Sequence, residues 1–394
     1  MEPRGTPGRA SVGEIGDSDP RSERTLRLRD YLQSDPTNLE LACALIDELL
    51  ATYRTHDALD VIAHLHTSLT QQPDVRLREA RALISERKLK PASDVLHALL
   101  QEGLDIPAVR HDLAFAQLCM GDVQGAAQTL DPVLALSDVP VECRVLQSRI
   151  FHAQGDLARA LEALCGPDAQ HHAGALGLRS LLLLDSGDAD TAHRCAVTCL
   201  ALQPNQLEAS LVEGSLALWA GELLTASQAF GRVLKQAPST GRALSGIGQV
   251  QMLQGDVAGA RRSFDAAVAA MPDHIGTWHA LAWACLVGGD VANAAVAFES
   301  AYALDRTFGE THGGLALIHV IRNQPAPADA ALKRALKLDP HGRTARYASS
   351  LLLLERGETD AAAREVEGIL EHGAGPAVES VPEFLQQLRQ LIQR

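Results

Sequence analysis

The sequence is poor in several features that define common protein classes. Aromatic residues make up only 4% of its 394 residues, and five lysines stand against thirty arginines. No run of 18 apolar residues occurs, so the sequence predicts no membrane insertion. The amino-terminal stretch lacks the apolar segment of a secretory signal, so we expect none.

Charge and cysteine usage indicate which classes of partner and which cellular compartment the chain favours. A net charge of −14 disfavours binding to nucleic acid and to anionic membranes. The seven cysteines are an odd number and form no paired framework, which favours reduced thiols and a cytoplasmic location. The excess of arginine over lysine, with abundant alanine and leucine, suggests a bacterial genome rich in GC.

A period of 34 residues organises the stretch 207–342. The middle of each of four successive segments carries a turn residue: Gly221, Gly255, Gly289 and Asn323. An alanine follows five residues later, at Ala226, Ala260, Ala294 and Ala328. A large apolar residue follows after four more, at Phe230, Phe264, Phe298 and Leu332. A fixed period of this size is typical of repeat arrays.

One unit, 241–274, shows the physics of the repeat. Its glycine at Gly255 ends a first helix, because glycine adopts the left-handed C-cap without steric cost. Asp256 can cap the second helix by accepting from free amides. The small residues Gly248 and Ala260 let the two helices approach closely. Such a hairpin cannot bury its apolar face alone, so neighbouring units must stack.

The same register predicts the organisation of the whole chain. We expect a disordered tail at 1–20, a capping half-repeat helix at 21–38 and an amphipathic capping helix at 377–394. Between them the register predicts ten units: 39–72, 73–106, 107–140, 141–172, 173–206, 207–240, 241–274, 275–308, 309–342 and 343–376. The unit 141–172 is two residues shorter than the others, which predicts a shortened turn.

The pattern resembles the tetratricopeptide repeat family. Counted from the start of each unit, a small residue stands at position 8, Gly at 15, Ala at 20, Phe at 24 and Pro at 32, and Trp278 fills the aromatic position 4. The resemblance covers about 340 of the 394 residues. It implies an all-α, right-handed superhelical solenoid. The first units depart from the pattern, since Tyr53 and Arg87 stand where glycine is expected.

No catalytic constellation is present, so we expect no enzyme activity, no cofactor and no metal. The glycines of Gly246-Ile247-Gly248 follow no strand, unlike a phosphate-binding loop. Cys195 and Cys199 lie at i and i+4 and could face each other. We interpret them as small packing residues, with metal binding as the alternative.

The resemblance implies that first helices line a concave groove and that positions 2, 5, 9, 12 and 13 face a ligand. The predicted partner-binding residues are Arg81, Phe115, Arg149, Trp219, Met252, His279, Trp283, Leu317 and Tyr347. Exposed apolar patches mark interaction sites, but close packing between units is the alternative for these side chains. No unit has Lys at position 5 with Asn at 6 or 9, so no chaperone-tail clamp is expected.

Arginines recur at position 4 of three consecutive units, at Arg76, Arg110 and Arg144. Guanidinium groups pair with carboxylates. The arginines could therefore bind an acidic patch on a partner, or pair with the chain's own Asp and Glu residues.

These features favour a protein-binding scaffold, adaptor or chaperone-like subunit in a bacterial assembly or secretion pathway. It would hold a peptide or a helix of a protein partner in the groove. One alternative is an accessory subunit of an enzyme such as a transferase. Another is a self-assembling array, with self-association through the helix at 377–394.

Overall fold

The computed structural model describes residues 20–371. Within this range the chain is all-α, with 22 α-helices, one short 3-10 helix and no strand. The predicted tail lies outside the described residues except for Pro20, and the predicted helix at 377–394 lies outside them entirely. No helix between 20 and 371 is long and apolar enough to cross a membrane.

The first ten helices and the 3-10 helix precede residue 173. They are α1 (Pro20–Ser34), α2 (Leu39–Ala51), α3 (Thr55–Ala63), α4 (Thr67–Thr70), α5 (Pro73–Ser85), α6 (Leu89–Gln101), α7 (Pro107–Cys119), α8 (Val123–Leu134), α9 (Val141–Ala153), α10 (Leu157–Glu162) and the 3-10 helix Pro167–His171.

Twelve further helices follow. They are α11 (Ala173–Asp185), α12 (Ala189–Leu202), α13 (Leu207–Trp219), α14 (Leu223–Gln236), α15 (Gly241–Leu253), α16 (Val257–Ala270), α17 (Ile275–Val287), α18 (Val291–Leu304), α19 (Gly309–Ile321), α20 (Pro325–Leu338), α21 (Arg343–Glu355) and α22 (Thr359–Glu371).

The helices pack in sequence. A first helix packs on the second helix that follows it, as α7 does on α8 and α15 on α16, and the second helix then packs on the next first helix. The described residues divide into two compact units, 20–175 and 176–371. In place of the predicted shortened turn near 172, the structure has a short second helix, α10, followed by the 3-10 helix.

The turn between paired helices contains a left-handed residue at the same position in every pair of the described chain. These residues are Tyr53, Arg87, Gly121, Gly155, Gly187, Gly221, Gly255, Gly289, Asn323 and Gly357. Left-handed geometry costs an L-residue roughly 1–2 kcal/mol, which explains the glycines. Tyr53 (φ 58°) and Arg87 (φ 61°) adopt it as well. The turn is therefore kept even where the sequence pattern is weakest.

An aspartate caps many of the second helices. The Asp256 carboxylate accepts from the amide of Gly259 at 2.8 Å, which confirms the predicted cap. Asp122, Asp156 and Asp188 likewise accept from the backbone amide three residues later. It satisfies one of the free amides at the helix start.

Buried phenylalanines and facing glycines set the helix spacing in the second compact unit. Phe230, Phe264 and Phe298 are nearly inaccessible to water. An added Cβ at Gly214 or Gly246 would lie 2.7 Å or 2.4 Å from the Phe230 ring. The first helices can therefore lie against these rings only where the facing residue is very small.

Candidate functional site

An apolar pocket of about 510 Å³ lies among first helices of the second compact unit. Side chains of α17, α19 and α21 form most of its wall, and the start of α18 completes it. The lining residues are Trp283, Leu286, Val287, Gly289, Val291, Ala292, Leu317, Ile321, Arg322, Tyr347 and Leu351. We call this site the apolar pocket. It brings together three of the predicted residues: Trp283, Leu317 and Tyr347.

An aromatic pair forms part of the pocket wall. The rings of Trp283 and Tyr347 meet edge to face, with centroids 5.8 Å apart and an interplanar angle of 83°. Both side chains are half-buried. Burial raises the pKa of the Tyr347 phenol to about 12, because the charged form loses hydration. The pair joins α17 to α21, across the intervening α19.

Two glycines of α19 make this contact across α19 possible. An added Cβ at Gly313 would lie 2.7 Å from the backbone nitrogen of Ala345, and one at Gly314 would lie 2.3 Å from the Phe298 ring. Helix α19 therefore lies close against α21 and α18. This close packing lets the side chain of Tyr347 reach Trp283.

His279 lies one turn before Trp283 on α17, and it links α17 to α19. Its Nε2 is 2.8 Å from the hydroxyl of Thr311. Its ring meets Phe298 and Phe308 edge to face, at 5.4 Å and 5.5 Å between centroids. Burial lowers the pKa of His279, against a smaller raising effect of Glu310. These contacts make His279 a packing residue beside the pocket.

The other predicted apolar residues divide between core and surface. Leu317 is only 1% exposed although it lines the pocket, as the packing alternative predicted. Met252 is half-buried against the same core. Trp219 ends α13, is 66% exposed and lies outside the pocket lining.

A more polar site lies in the first compact unit. A cavity of about 740 Å³ is lined by residues that include Arg81, His111, Asp112 and Phe115. A smaller cavity of about 180 Å³ shares His111 and Phe115 and adds Arg149. We call these two cavities the polar pocket. It brings together the predicted residues Arg81, Phe115 and Arg149.

A buried carboxylate organises the polar pocket. The Nε of Arg81 donates to Oδ2 of Asp112 at 2.7 Å, and Nδ1 of His111 lies 2.9 Å from Oδ1. Burial alone would raise the pKa of Asp112, but hydrogen bonds and charge from His111 and Arg81 hold that pKa below its ordinary value. Asp112 thus ties α5 to α7.

The position-4 arginines pair with acids of this chain. Arg76 contacts Glu102 at 2.5 Å, Arg110 contacts Asp105 at 2.5 Å, and Arg144 contacts Asp168 at 2.9 Å. Of the two interpretations offered for these arginines, the structure therefore supports pairing with the chain's own acidic residues.

One of the two cysteines interpreted as packing residues is buried. Cys199 is buried on α12, and burial raises its thiol pKa to about 11. Among residues 20–371, no group of three His, Cys, Asp or Glu side chains could hold a metal ion.

Asp112 and Arg322 are among the residues of these sites that sequence reasoning missed. Asp112 lies 31 residues after Arg81, and Asp47 and Arg78 form another pair 31 residues apart, with bonds of 2.9 Å and 2.8 Å. This spacing joins position 9 of one unit to position 6 of the next, and could have identified Asp112. Arg322 lines the apolar pocket but follows α19, beyond the positions searched.

Comparison with known proteins supports the family. Residues 211–275 and 314–377 match the model of the tetratricopeptide repeat. The human tetratricopeptide repeat protein 34 is 31% identical over 193 residues, which are 43% of this chain and 34% of that protein. The chain therefore matches about a third of that relative's length. The resemblance is confirmed for these two stretches, which carry tetratricopeptide repeats, a fold that supports a protein–protein interaction scaffold.

Solved structures that match this chain include a monomeric IFIT1 mutant with m7Gppp-AAAA, at 14% identity and a TM-score of 0.48, covering 91% of this chain and 96% of that one. The APC/C hetero-tetramer Cut9-Hcn1 matches at 16% identity and a TM-score of 0.41, covering 88% of this chain and 81% of that one.

Proposed function

We propose that this chain is a scaffold or adaptor that binds a peptide or a helix of another protein at the apolar pocket. The observation that carries the proposal is the half-buried Trp283–Tyr347 pair in a pocket of about 510 Å³. Aromatic side chains in desolvated pockets supply most of the binding energy at protein interfaces. A mainly apolar concavity with few polar groups is also the usual form of a binding site.

The polar pocket of the first unit provides a second contact region in this proposal. Arg149 and Phe115 line it, and the partially exposed guanidinium of Arg81 is already oriented by Asp112. An oriented guanidinium loses less freedom when it binds a carboxylate. Composition suggests a bacterial cytoplasmic protein, so we place the scaffold in an assembly or secretion pathway, with a chaperone-like role.

Affinity capture tests the proposal. The purified chain, a Trp283→Ala/Tyr347→Ala variant and a Trp278→Ala variant would be exposed to lysate of the source cell, with bound proteins quantified by mass spectrometry. Trp278 is the matched control: it is a half-buried tryptophan of α17 that lies outside the pocket lining and donates to the carbonyl of Pro272 at 2.8 Å. Circular dichroism would check that each variant is folded.

The proposal predicts a partner whose recovery falls more than tenfold with the pocket variant, since a central anchor contributes about 2 kcal/mol or more. The Trp278→Ala variant should retain that partner. Equal recovery by the wild type and a folded pocket variant would show that binding does not use the apolar pocket.

A further inference from the structure

Four consecutive first helices of the second unit end in an apolar residue at the same register position. Trp219, Leu253 and Val287 are 66%, 64% and 52% exposed, and Ile321 is half-buried. We call these four residues the apolar stripe. Exposed large apolar side chains at one position of successive repeats form an ordered surface, unlike the scattered ones that every protein carries.

The stripe is bounded and continuous with the apolar pocket. Val287 and Ile321 belong to both. The equivalent positions in the preceding and following repeats are acidic, at Asp185 and Glu355. The apolar surface therefore extends over four repeats and stops at a charge on each side.

Acidic residues run beside the stripe. Glu222, Asp256 and Asp290 each lie three residues after a stripe residue, at the start of the second helix. The amides of all three bond to carbonyls five residues earlier, at 2.8–2.9 Å, so each acidic residue lies in the tight turn that directly follows a stripe residue. Glu222 and Asp256 are exposed and pair with no cationic side chain among residues 20–371, whereas Asp290 contacts Arg261 at 2.8 Å.

We propose that the apolar stripe binds an amphipathic helix of a partner protein whose apolar face is flanked by lysine or arginine. This inference rests on the proposed function and names the partner class. Basic flanks complement Glu222, Asp256 and Asp290, and opposite potentials across an interface select partners and speed association. Arg322, near the Ile321 end of the stripe, favours the carboxyl end of the bound helix there, because that end of a helix dipole is negative.

The spacing of the stripe favours a helical partner. Consecutive first helices also contact one another, as α13 contacts α15 and α15 contacts α17. At the spacing of about 8–10 Å that is usual for packed helices, the four residues would span roughly 24–30 Å. An α-helix of roughly 16–20 residues has that length, and its residues seven apart are separated by about 10 Å. Side chains on one face of a strand recur at about 6.7 Å, which does not match the spacing of the stripe residues.

A polyproline segment also repeats at about 9 Å. Its receptors, however, are grooves lined by aromatic side chains, and Trp219 is the only aromatic member of the stripe. The α-helix is therefore the better match.

Fluorescence anisotropy with synthetic probes tests the inference on the full chain. The main probe is a labelled helical peptide of about 18 residues, with leucines along one face and flanking lysines. Its twin carries glutamates in place of the lysines. Two further probes are a proline-rich peptide of equal length and the chain's own segment 378–394, which lies outside the described residues.

The variants separate the stripe from general surface effects. Val287→Glu places a charge in the stripe, and Val296→Glu is its control, because Val296 is equally apolar and 57% exposed on α18. A triple variant, Glu222→Gln with Asp256→Asn and Asp290→Asn, removes the acidic charges. Asparagine retains the helix cap at the two aspartate positions.

The wild type should bind the lysine probe at least tenfold tighter than its glutamate twin, with a preference that shrinks as salt is added. Val287→Glu should weaken binding at least tenfold, Val296→Glu should leave it unchanged, and the triple variant should lose the preference between the twins.

Equal binding of the twins, or equal effects of the two valine variants, would overturn the inference. Tighter binding of the proline-rich probe or of segment 378–394 would also overturn it, by assigning the stripe to another occupant. A partner whose capture depends on Trp283 and Tyr347 but not on Val287 would leave the proposed function intact and remove only this inference.

Discussion

Phe264 and Gly248 show at the level of single residues what the repeat requires. The Phe264 ring is buried between helices, and Gly248 of α15 faces it so closely that an added Cβ would lie 2.7 Å from a ring carbon. The small residue at position 8 of a unit is therefore a steric requirement of the ring that packs against it.

Replacing Gly248 by alanine should lower stability by roughly 1–3 kcal/mol, because the buried ring has little room to move. Gly231→Ala is the matched control. Apart from its chain neighbours and the backbone of its own helix, nothing lies within 4 Å of a Cβ added there, so alanine should raise stability by about 0.5–1 kcal/mol through helix propensity. Thermal melts followed by circular dichroism would compare the two variants. The same shift in both would contradict this steric explanation.

Asp112 should make stability depend on pH. Its pKa in the folded chain lies below the ordinary value, so its contribution is present above the unfolded pKa of about 3.9 and is lost as the pH falls through the folded pKa. Asp112→Asn should therefore cost roughly 1–3 kcal/mol at neutral pH and progressively less in acid. Urea unfolding across that range measures the difference. A cost that stays constant or grows on acidification would contradict the prediction.

At the level of elements, the Trp283–Tyr347 contact joins two first helices that are not neighbours in the stack. Edge-to-face aromatic pairs contribute about 0.5–1.5 kcal/mol beyond the area they bury. The contact therefore stabilises α17 against α21 and keeps the aromatic wall of the apolar pocket in place before any partner arrives. Such preorganisation reduces the cost of binding.

The buried environment of Tyr347 predicts that its phenol ionises at a higher pH than an ordinary tyrosine. Its folded pKa of about 12 exceeds the unfolded value of about 10. The stabilisation from its burial is complete below pH of about 10 and is lost as the pH rises through the folded pKa. Near-ultraviolet titration should show one tyrosine that ionises near pH 12, and Tyr347→Phe should remove that step. Tyr53→Phe, at an exposed turn, should leave it in place. Loss of the step in the Tyr53 variant would contradict the assignment.

The elements were largely predictable from the sequence, for a local reason. Turn residues such as Gly255 and caps such as Asp256 act within a few residues, so a pattern of 34 residues reports them directly. The contact between Trp283 and Tyr347 was not predictable in the same way. It depends on how closely α19 packs on its neighbours, which the glycines at 313 and 314 determine through three-dimensional packing.

At the level of the whole molecule, the chain carries two sites of different chemistry, each within its own compact unit. The apolar pocket is lined mainly by aliphatic and aromatic groups, and the polar pocket is organised around the Asp112 carboxylate. A scaffold with two such sites can distinguish partners by an apolar anchor and by charge, and specificity commonly combines both terms.

The nine residues predicted to bind a partner illustrate the limit of the sequence at this scale. Register alone placed Trp283, Leu317 and Tyr347 on three successive first helices, and the structure brings them into one pocket. Register could not tell that Leu317 is almost completely buried while Trp219 is mostly exposed. Burial depends on the packing of successive helices, which a one-dimensional pattern does not contain.

The central claim is that a protein partner binds where Trp283 lies. The chain has three tryptophans, at 219, 278 and 283, so versions that retain a single one, with phenylalanine at the other two positions, report on each place separately. On addition of the partner recovered by affinity capture, fluorescence of the version retaining Trp283 should shift to shorter wavelength, while the version retaining Trp278 should not change. An unchanged Trp283 signal on a chain that still binds the partner, or an equal shift at Trp278, would contradict the claim.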